Sequence, residues 1–209
     1  MFETGARLSI FPLAGALLLP RSYLPLHIFE PRYRAMVSDA LARDQRIAMI
    51  QPRPSQPEGA ERPLLFDIGC VGKIAQVEAL GDGRFNLVLE GLTRFRLLRE
   101  IEVATAFRQV EAGFDGFGDD ADPLVALPSV MRAGIEREAR RFADVRGFSV
   151  DWEEVARLDD EALVNGIAQV VPFDIATKQA LLEASTISDR ADLLLDFLRF
   201  FGDGGDTLQ

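Results

Sequence analysis

Short apolar runs, separated by proline and glycine, dominate the first half of the chain and predict β-strands. We predict strands at Leu8–Leu13, Ala16–Leu19, Leu24–Phe29, Arg46–Gln51, Phe66–Leu80, Phe85–Leu89, Thr93–Ile101 and Phe107–Ala112. The tripeptide Gly81-Asp82-Gly83 predicts a hairpin between two of these strands, because glycine adopts positive φ angles at no steric cost. So many short strands within residues 1–112 indicate a small barrel-like or sandwich β domain.

One helix interrupts these strands. Its apolar positions recur at helical spacing on one face: Tyr33, Met36, Val37, Ala40 and Leu41. Pro31 stands at the start of this pattern, where a helix tolerates proline. The stretch Leu24–Tyr33 therefore predicts a strand that leads directly into a helix, with His27, the sole histidine of the chain, on the strand.

The second half has helical periodicity throughout. We predict helices at Leu124–Val145, Val150–Leu158 and Glu161–Val171, a helix capped by Asp174 that runs through Glu183, and a last helix capped by Ser188 and ended by Gly202. Asp151 lies three residues before Glu154, which is typical of a capped helix start. The short connections between these helices predict a compact bundle.

Charge separates the two halves. Residues 1–112 carry 14 Lys and Arg against 13 Asp and Glu, whereas residues 113–209 carry 9 against 20. Such different balances indicate two structural units. We predict a β domain at 1–112, an acidic glycine-rich linker at 113–123, a helical bundle at 124–202 and a frayed tail at 203–209.

The sequence favours a soluble cytoplasmic protein. Its single cysteine, Cys70, cannot form an intramolecular disulfide, which fits a reducing compartment. The N-terminus lacks the basic and apolar regions of a signal peptide. No segment contains 18 consecutive apolar residues, so we expect no membrane partner.

Few residues could support catalysis. A nucleophile–histidine pair would need His27 beside a thiol or hydroxyl, and Cys70 lies in a strand pattern where a small buried thiol is the simpler interpretation. Lys73 and Lys178, the two lysines, have no serine nearby in sequence for Ser–Lys chemistry. One His and one Cys cannot supply a structural zinc set, and no phosphate-binding glycine loop is present. We expect no enzyme activity, no metal and no cofactor.

A basic strand raises the question of nucleic-acid binding. Arg94 and Arg96 share one face of a predicted strand, and Thr93 and Phe95 share the other. A surface that follows a phosphate backbone usually carries a larger basic excess than this near-neutral half does. Nucleic acid is therefore disfavoured as a partner, and arginines paired with carboxylates are the simpler interpretation.

Three stretches together carry a family resemblance. They are LPLHIFEPRYRAM (24–36), GCVGKIAQVEALGDGRFNLVLEGLTRFRLL (69–98) and VVPFDIATKQALLEASTISDRADLLLDFL (170–198). The chain resembles the N-terminal, substrate-binding domain of the Lon protease family over residues 8–200. The resemblance implies an α+β fold, in which a PUA-like antiparallel β pseudo-barrel with one main helix is followed by an α-helical bundle.

In Lon proteases this region contributes to recognising unfolded substrates and to hexamer assembly, ahead of an ATPase domain and a Ser–Lys protease domain. Neither of those domains has a counterpart in the 209 residues. The resemblance therefore implies a stand-alone, non-enzymatic and ATP-independent module that binds unfolded or extended polypeptide. A protease or chaperone acting in trans would be a further partner, and the chain would be a monomer or a weak homo-oligomer.

The motif residues are expected to be structural: His27, Phe29, Glu30, Pro31, Tyr33, Gly91, Arg94 and Phe95. We expect Phe29 and Tyr33 to pack against the core at the strand-to-helix corner. Glu30 and Arg94 are expected to form a partly buried ion pair. Gly91 is expected in a turn that needs an unusual φ.

For polypeptide binding we expect apolar grooves, at the barrel or between barrel and helices, and exposed sheet edges. The candidate lining residues are Phe11, Leu13, Tyr23 and Phe66. Two other functions remain open at this point. One is nucleic-acid or small-ligand binding on the barrel, and the other is a hydrolase that uses Cys70 and His27.

Overall fold

The computed structural model describes residues 5–54, 62–121 and 126–202. The chain divides into two units, Met1–Asp122 and Pro123–Gln209. The first unit comprises β1 (Ala6–Pro12), β2 (Tyr23–Ile28), α1 (Pro31–Leu41), β3 (Arg46–Ile50), β4 (Ile68–Ala79), β5 (Phe85–Ile101), β6 (Gln109–Gly113) and a 3₁₀ helix (Gly118–Ala121). The predicted tail at 203–209 lies outside the described residues.

The six strands form one sheet that closes on itself. Their order is β2-β5-β4-β3-β1-β6, and β6 also pairs with β5. Five strands thereby complete a ring, while β2 extends the sheet along the first half of β5. β1 and β3 run parallel, and the other strand pairs are antiparallel as predicted, so the sheet is mixed. The intervening β2 and α1 provide the long crossover that a parallel pair requires. The α+β fold class is confirmed.

The interior of the ring is filled by alternate residues of its strands. The buried cluster consists of Leu8, Ile10, Ala48, Ile50, Leu65, Val71, Phe95, Val110 and Ala112. The i, i+2 spacing within β1, β3 and β6 places these side chains on one face. Phe95, predicted as a motif residue, belongs to this cluster and is fully buried.

Helix α1 covers the opposite face of β1. The Tyr33 ring packs on the Phe11 ring with centroids 4.2 Å apart. Burial raises the pKa of the Tyr33 hydroxyl, against a smaller lowering effect of Arg32. Pro31 occupies the first turn of α1, as predicted. The expected core packing of Phe29 was wrong: Phe29 is 60% exposed, because it follows the buried Ile28 and so faces the other side of the chain.

Two predictions about the strands were wrong, namely the strand at Ala16–Leu19 and the break between Leu89 and Thr93, and both concern the crossing at Gly91. Ala16–Leu19 forms no strand, although Leu17, Leu18 and Leu19 are buried. Instead, this coil crosses β5 at Gly91, where a Cβ would overlap the Leu19 carbonyl oxygen. Gly91 does not adopt a positive φ, so the expected unusual turn was wrong. β5 continues through Gly91 as one strand, and glycine is needed there for close backbone approach.

We expect Gly91→Ala to lower the free energy of unfolding by ~1–3 kcal/mol, because its methyl group would push against a backbone carbonyl rather than a movable side chain. The matched control is Gly81→Ala, where a Cβ would meet no heavy atom within 4 Å. Urea denaturation followed by circular dichroism measures both changes. Equal stability of the two variants would contradict the proposed role of Gly91.

A buried ion pair fastens residues 114–121 to β5. Arg94 Nη2 lies 2.7 Å from Asp120 Oδ1, and both side chains are almost fully buried. The Asp120 carboxylate also accepts the backbone N–H of Arg94 at 2.7 Å. The predicted pair of Arg94 with Glu30 was wrong, since Glu30 pairs with Arg32 at the surface. The described part of the predicted linker belongs to the first unit, with Phe117 buried under the Arg94 guanidinium.

We expect Asp120→Asn to cost ~3–5 kcal/mol of stability, because it leaves the Arg94 charge buried without a carboxylate. Asp119→Asn is the control, since this neighbouring carboxylate is exposed and its loss should change stability by no more than about 0.5 kcal/mol. Chemical denaturation of the two variants gives the comparison. A small effect at Asp120 would show that the pair is dispensable.

The second unit is a helical bundle with five helices in its described part: α2 (Ser129–Arg146), α3 (Trp152–Ala156), α4 (Asp160–Val170), α5 (Ile175–Glu183) and α6 (Ile187–Gly202). Helix α6 contacts α2, α4 and α5. Asp151, Asp159 and Asp174 cap α3, α4 and α5 by accepting backbone N–H groups. The predicted cap at Ser188 was wrong, because Thr186 and Asp189 exchange side-chain and backbone hydrogen bonds at the start of α6.

None of the helices in the described ranges combines the length and the apolar character needed to cross a membrane.

Candidate polypeptide-binding groove

The four residues predicted to bind polypeptide do not form one surface. Phe11 is buried against Tyr33 and cannot line an open groove. Leu13 and Phe66 are half-buried and lie near the end of β3, where their N–H groups donate to Ile50 and Gln51. Tyr23 is exposed on β2, which β5 and β4 separate from β3.

The structure separates the two residues of the hydrolase hypothesis. Cys70 is fully buried on β4. His27 is exposed on β2, where its Nδ1 lies 2.7 Å from Asn86 Oδ1, and Asn86 in turn donates to Glu78. Glu78 lies eight residues along β4 from Cys70, roughly 25 Å for an extended strand. Cys70 and His27 therefore do not form a catalytic pair.

The two lysines lie in different environments. Lys73 is exposed on β4. Lys178 is buried, and burial lowers the pKa of its ammonium group. Its Nζ donates to the Gln169 carbonyl at 3.1 Å, at the C-terminal end of α4. A cation at that position satisfies a helix-terminal carbonyl. No group of three or more His, Cys, Asp or Glu within the described ranges could hold a metal ion.

The basic strand does not present a continuous cationic surface. Arg94 is buried on Asp120, while Arg96 is exposed. Of the two arginines predicted to share a face, one is thus neutralised inside the protein. This weakens the case for a phosphate-tracking strand at this position.

Among the described strands β2 forms an edge of the sheet, and a proline interrupts this edge. β2 is the terminal strand in the sheet order, paired with β5 alone among the described strands. The Gly91 N–H donates to the Ser22 carbonyl, so the backbone groups of Tyr23, Pro25 and His27 face away from β5. Pro25 has no N–H to offer an incoming strand at the centre of this edge.

The helical bundle contains an apolar groove that sequence reasoning did not predict. Its volume is about 390 Å³, and its lining comprises Ala139, Phe142, Ala143, Phe148, Ser149, Val150, Trp152, Val155, Leu158, Leu163, Gly166, Ile167, Val170 and Val171. None of these side chains titrates. The volume lies within the range of ligand pockets in proteins.

Helices α2 and α4 form the two walls of the groove. Arg132 of α2 and Asp160 of α4 hold them together, with Nη1 and Oδ1 2.7 Å apart. Asp160 also accepts the Leu127 N–H at 2.7 Å. The hydrogen bond from Arg132, and then that from Leu127, lower the pKa of Asp160. The tie therefore persists at neutral pH and weakens only as acid protonates Asp160.

Residues 147–158, here called the strap, close the third side of the groove. Gly147 ends α2 in the left-handed conformation, with φ of 72°, and Phe148 then turns back to donate its N–H to Ala143 O at 2.9 Å. Helix α3 within the strap has no buried residue. The Arg140 guanidinium lies over the Trp152 ring of this helix, 4.4 Å from the ring centroid, in a cation–π contact.

The groove opens to solvent through apolar rim residues. Phe148, Val150, Leu158 and Val170 are all exposed, and Val170 is 83% exposed. Gly166 lies in the lining, and a Cβ added to it would meet no heavy atom within 4 Å. Exposed apolar residues that cluster around a cavity mark an interaction site, whereas scattered ones do not.

One sequence feature could have indicated this groove. The strap sequence FSVDWEEVARL places apolar residues at 148, 150, 152, 155 and 158. Its one helix, α3, has only five residues and buries none of them. The periodicity alone predicts a helix with a buried face. Which neighbouring helix covers that face is a tertiary property.

Comparison with known proteins identifies the family. The family model described as the ATP-dependent protease La (LON) substrate-binding domain matches residues 7–199. The chain belongs to this family. The resemblance predicted from sequence is thereby confirmed.

Relatives found by sequence agree with this assignment. "Lon protease 2" of Myxococcus xanthus is 26% identical over 192 residues, and "Lon protease 2" of Sorangium cellulosum is 32% identical over 197 residues. These matches cover 91% and 89% of this chain but 23% and 24% of the relatives, so the chain spans about a quarter of their length.

Two solved structures share the fold. A Lon N-terminal domain protein from Xanthomonas campestris superposes with a TM-score of 0.64 over 92% of this chain and 98% of that one. The N-terminal domain of Mycobacterium avium complex Lon protease has a TM-score of 0.63, over 93% and 98%. Both are 19% identical to this chain.

Proposed function

We propose that the chain binds apolar segments of unfolded or extended polypeptide in the groove of its helical bundle, without catalysing a reaction. The observation that carries the proposal is the solvent-open apolar groove with its exposed rim. Membership of a family described by substrate binding supports it. Folded proteins bury such apolar segments, so a groove of this kind would take them from chains that are unfolded.

The groove suits binding better than chemistry. Ser149 supplies the sole hydroxyl among its lining side chains, and no lining residue is a general acid, a general base or a charged group. Affinity would come from apolar area removed from water, which is non-directional and tolerates many sequences. The relatives carry this segment within longer Lon proteases, so delivery of bound polypeptide to a protease or chaperone is part of the proposal.

Trp152 provides a direct assay, because it is the single tryptophan of the chain and lies in the groove. A short synthetic peptide with a leucine- and phenylalanine-rich core should change its fluorescence on titration. Val170→Gln should weaken binding about fivefold, the effect of losing ~1 kcal/mol of apolar contact.

Val130→Gln is the matched control, since Val130 is 85% exposed on α2 and is not part of the lining. It should leave the dissociation constant unchanged. If both variants weaken binding equally, the peptide is bound by general surface hydrophobicity and the groove assignment is wrong.

Gly166→Leu separates occlusion from misfolding. The leucine side chain would project into the open space of the groove, while the exchange of glycine for a good helix former should stabilise α4 by ~0.5–1 kcal/mol. We expect a melting temperature that is equal or higher, together with loss of peptide binding in the same fluorescence titration. Undiminished binding by a stable Gly166→Leu protein would contradict the proposal.

A further inference from the structure

Acidic residues outnumber basic residues in the segment that forms the groove. Residues 139–171 contain every lining residue and carry four arginines against seven Asp and Glu, a net charge of −3. Residues 123–209 carry 9 basic against 16 acidic residues. The apolar groove therefore lies in a region of negative charge.

Four exposed carboxylates adjoin lining residues along the chain. Asp144 follows Ala143, Asp151 lies between Val150 and Trp152, Glu153 follows Trp152, and Asp159 follows Leu158. Asp151 and Asp159 accept backbone N–H groups at helix starts. Neither they nor Asp144 and Glu153 form an ion pair with any residue in the described ranges.

The nearby arginines are engaged elsewhere. Arg157 pairs with Glu154, and Arg141 lies 3.6 Å from Glu138. Arg140 lies over the Trp152 ring, and Arg146 donates to the Phe201 carbonyl. These contacts fix the cationic groups on other partners, so the four carboxylates remain available to charges brought by a ligand.

We propose that the groove prefers apolar segments flanked by lysine or arginine, a preference that rests on the proposed polypeptide-binding function. The apolar core of such a segment would occupy the groove, and its flanking cations would lie among Asp144, Asp151, Glu153 and Asp159. Charge complementarity at an exposed rim raises the association rate and discriminates between partners. Acidic flanks would be repelled, as would the phosphates of nucleic acid.

The test uses three peptides with one leucine- and phenylalanine-rich core and with lysine, glutamine or glutamate flanks. Trp152 fluorescence gives their dissociation constants at about 0.01 M and about 1 M ionic strength, where the Debye length is about 30 Å and 3 Å. At low salt the lysine peptide should bind roughly threefold to tenfold more tightly than the glutamine peptide, as expected for a few exposed ion pairs. The glutamate peptide should bind most weakly, and high salt should bring the three together.

Two double variants test whether the carboxylates next to the groove cause the preference for lysine flanks. Asp144→Asn with Glu153→Gln should reduce the preference for lysine flanks while leaving the glutamine peptide unaffected. The control removes the same number of charges from α6, as Asp192→Asn with Asp196→Asn, since no α6 residue lines the groove. It should leave the lysine preference intact.

The outcomes distinguish the two proposals. If no peptide binds, the proposed function itself fails. If the glutamine peptide binds but lysine flanks give no advantage at low salt, the charge preference is overturned and polypeptide binding stands. An equal loss of preference in the α6 control would also overturn the assignment, because the effect would then come from overall charge.

Discussion

The first unit depends on how β5 changes partners. This strand pairs with β4 along most of its length, with β2 over its first half and with β6 over its second half. Between the two outer partners, the backbone of β5 needs other hydrogen-bonding groups, because unsatisfied buried polar groups are costly. The Ser22 carbonyl accepts the Gly91 N–H, and the Asp120 carboxylate accepts the Arg94 N–H. The coil at Ser22 and the Asp120 side chain thus supply hydrogen bonds to the part of β5 that pairs with neither β2 nor β6.

The second unit keeps an apolar groove open to solvent within a folded helical bundle. Its walls are held by packing against α6 and by the Arg132–Asp160 tie. The strap contributes aromatic and aliphatic side chains but buries none of the residues of α3. Phe142 and Leu163 line the groove and are also buried in the core, whereas the rim residues Phe148, Val150 and Val170 provide the apolar surface that is open to solvent.

Local signals predicted local structure well. Pro31 at the start of α1, the Gly81-Asp82-Gly83 hairpin and the aspartate caps act over a few residues, and each was found where the sequence placed it. Partners that are remote along the chain were missed. Arg94 selects Asp120 rather than Glu30, and no periodicity encodes that choice. The groove was missed for the same reason, since an apolar helix face appears equally buried in sequence whether or not another element covers it.

Pro25 has a consequence for the proposed handling of unfolded chains. Such chains carry segments prone to stack as β-sheet, and an open strand edge would template them. With a proline facing outward at its centre, β2 cannot donate the regular series of hydrogen bonds that growth of a cross-β stack requires. Under the proposed function, the sheet of this chain would therefore not act as a seed for aggregation of the polypeptide that the chain binds.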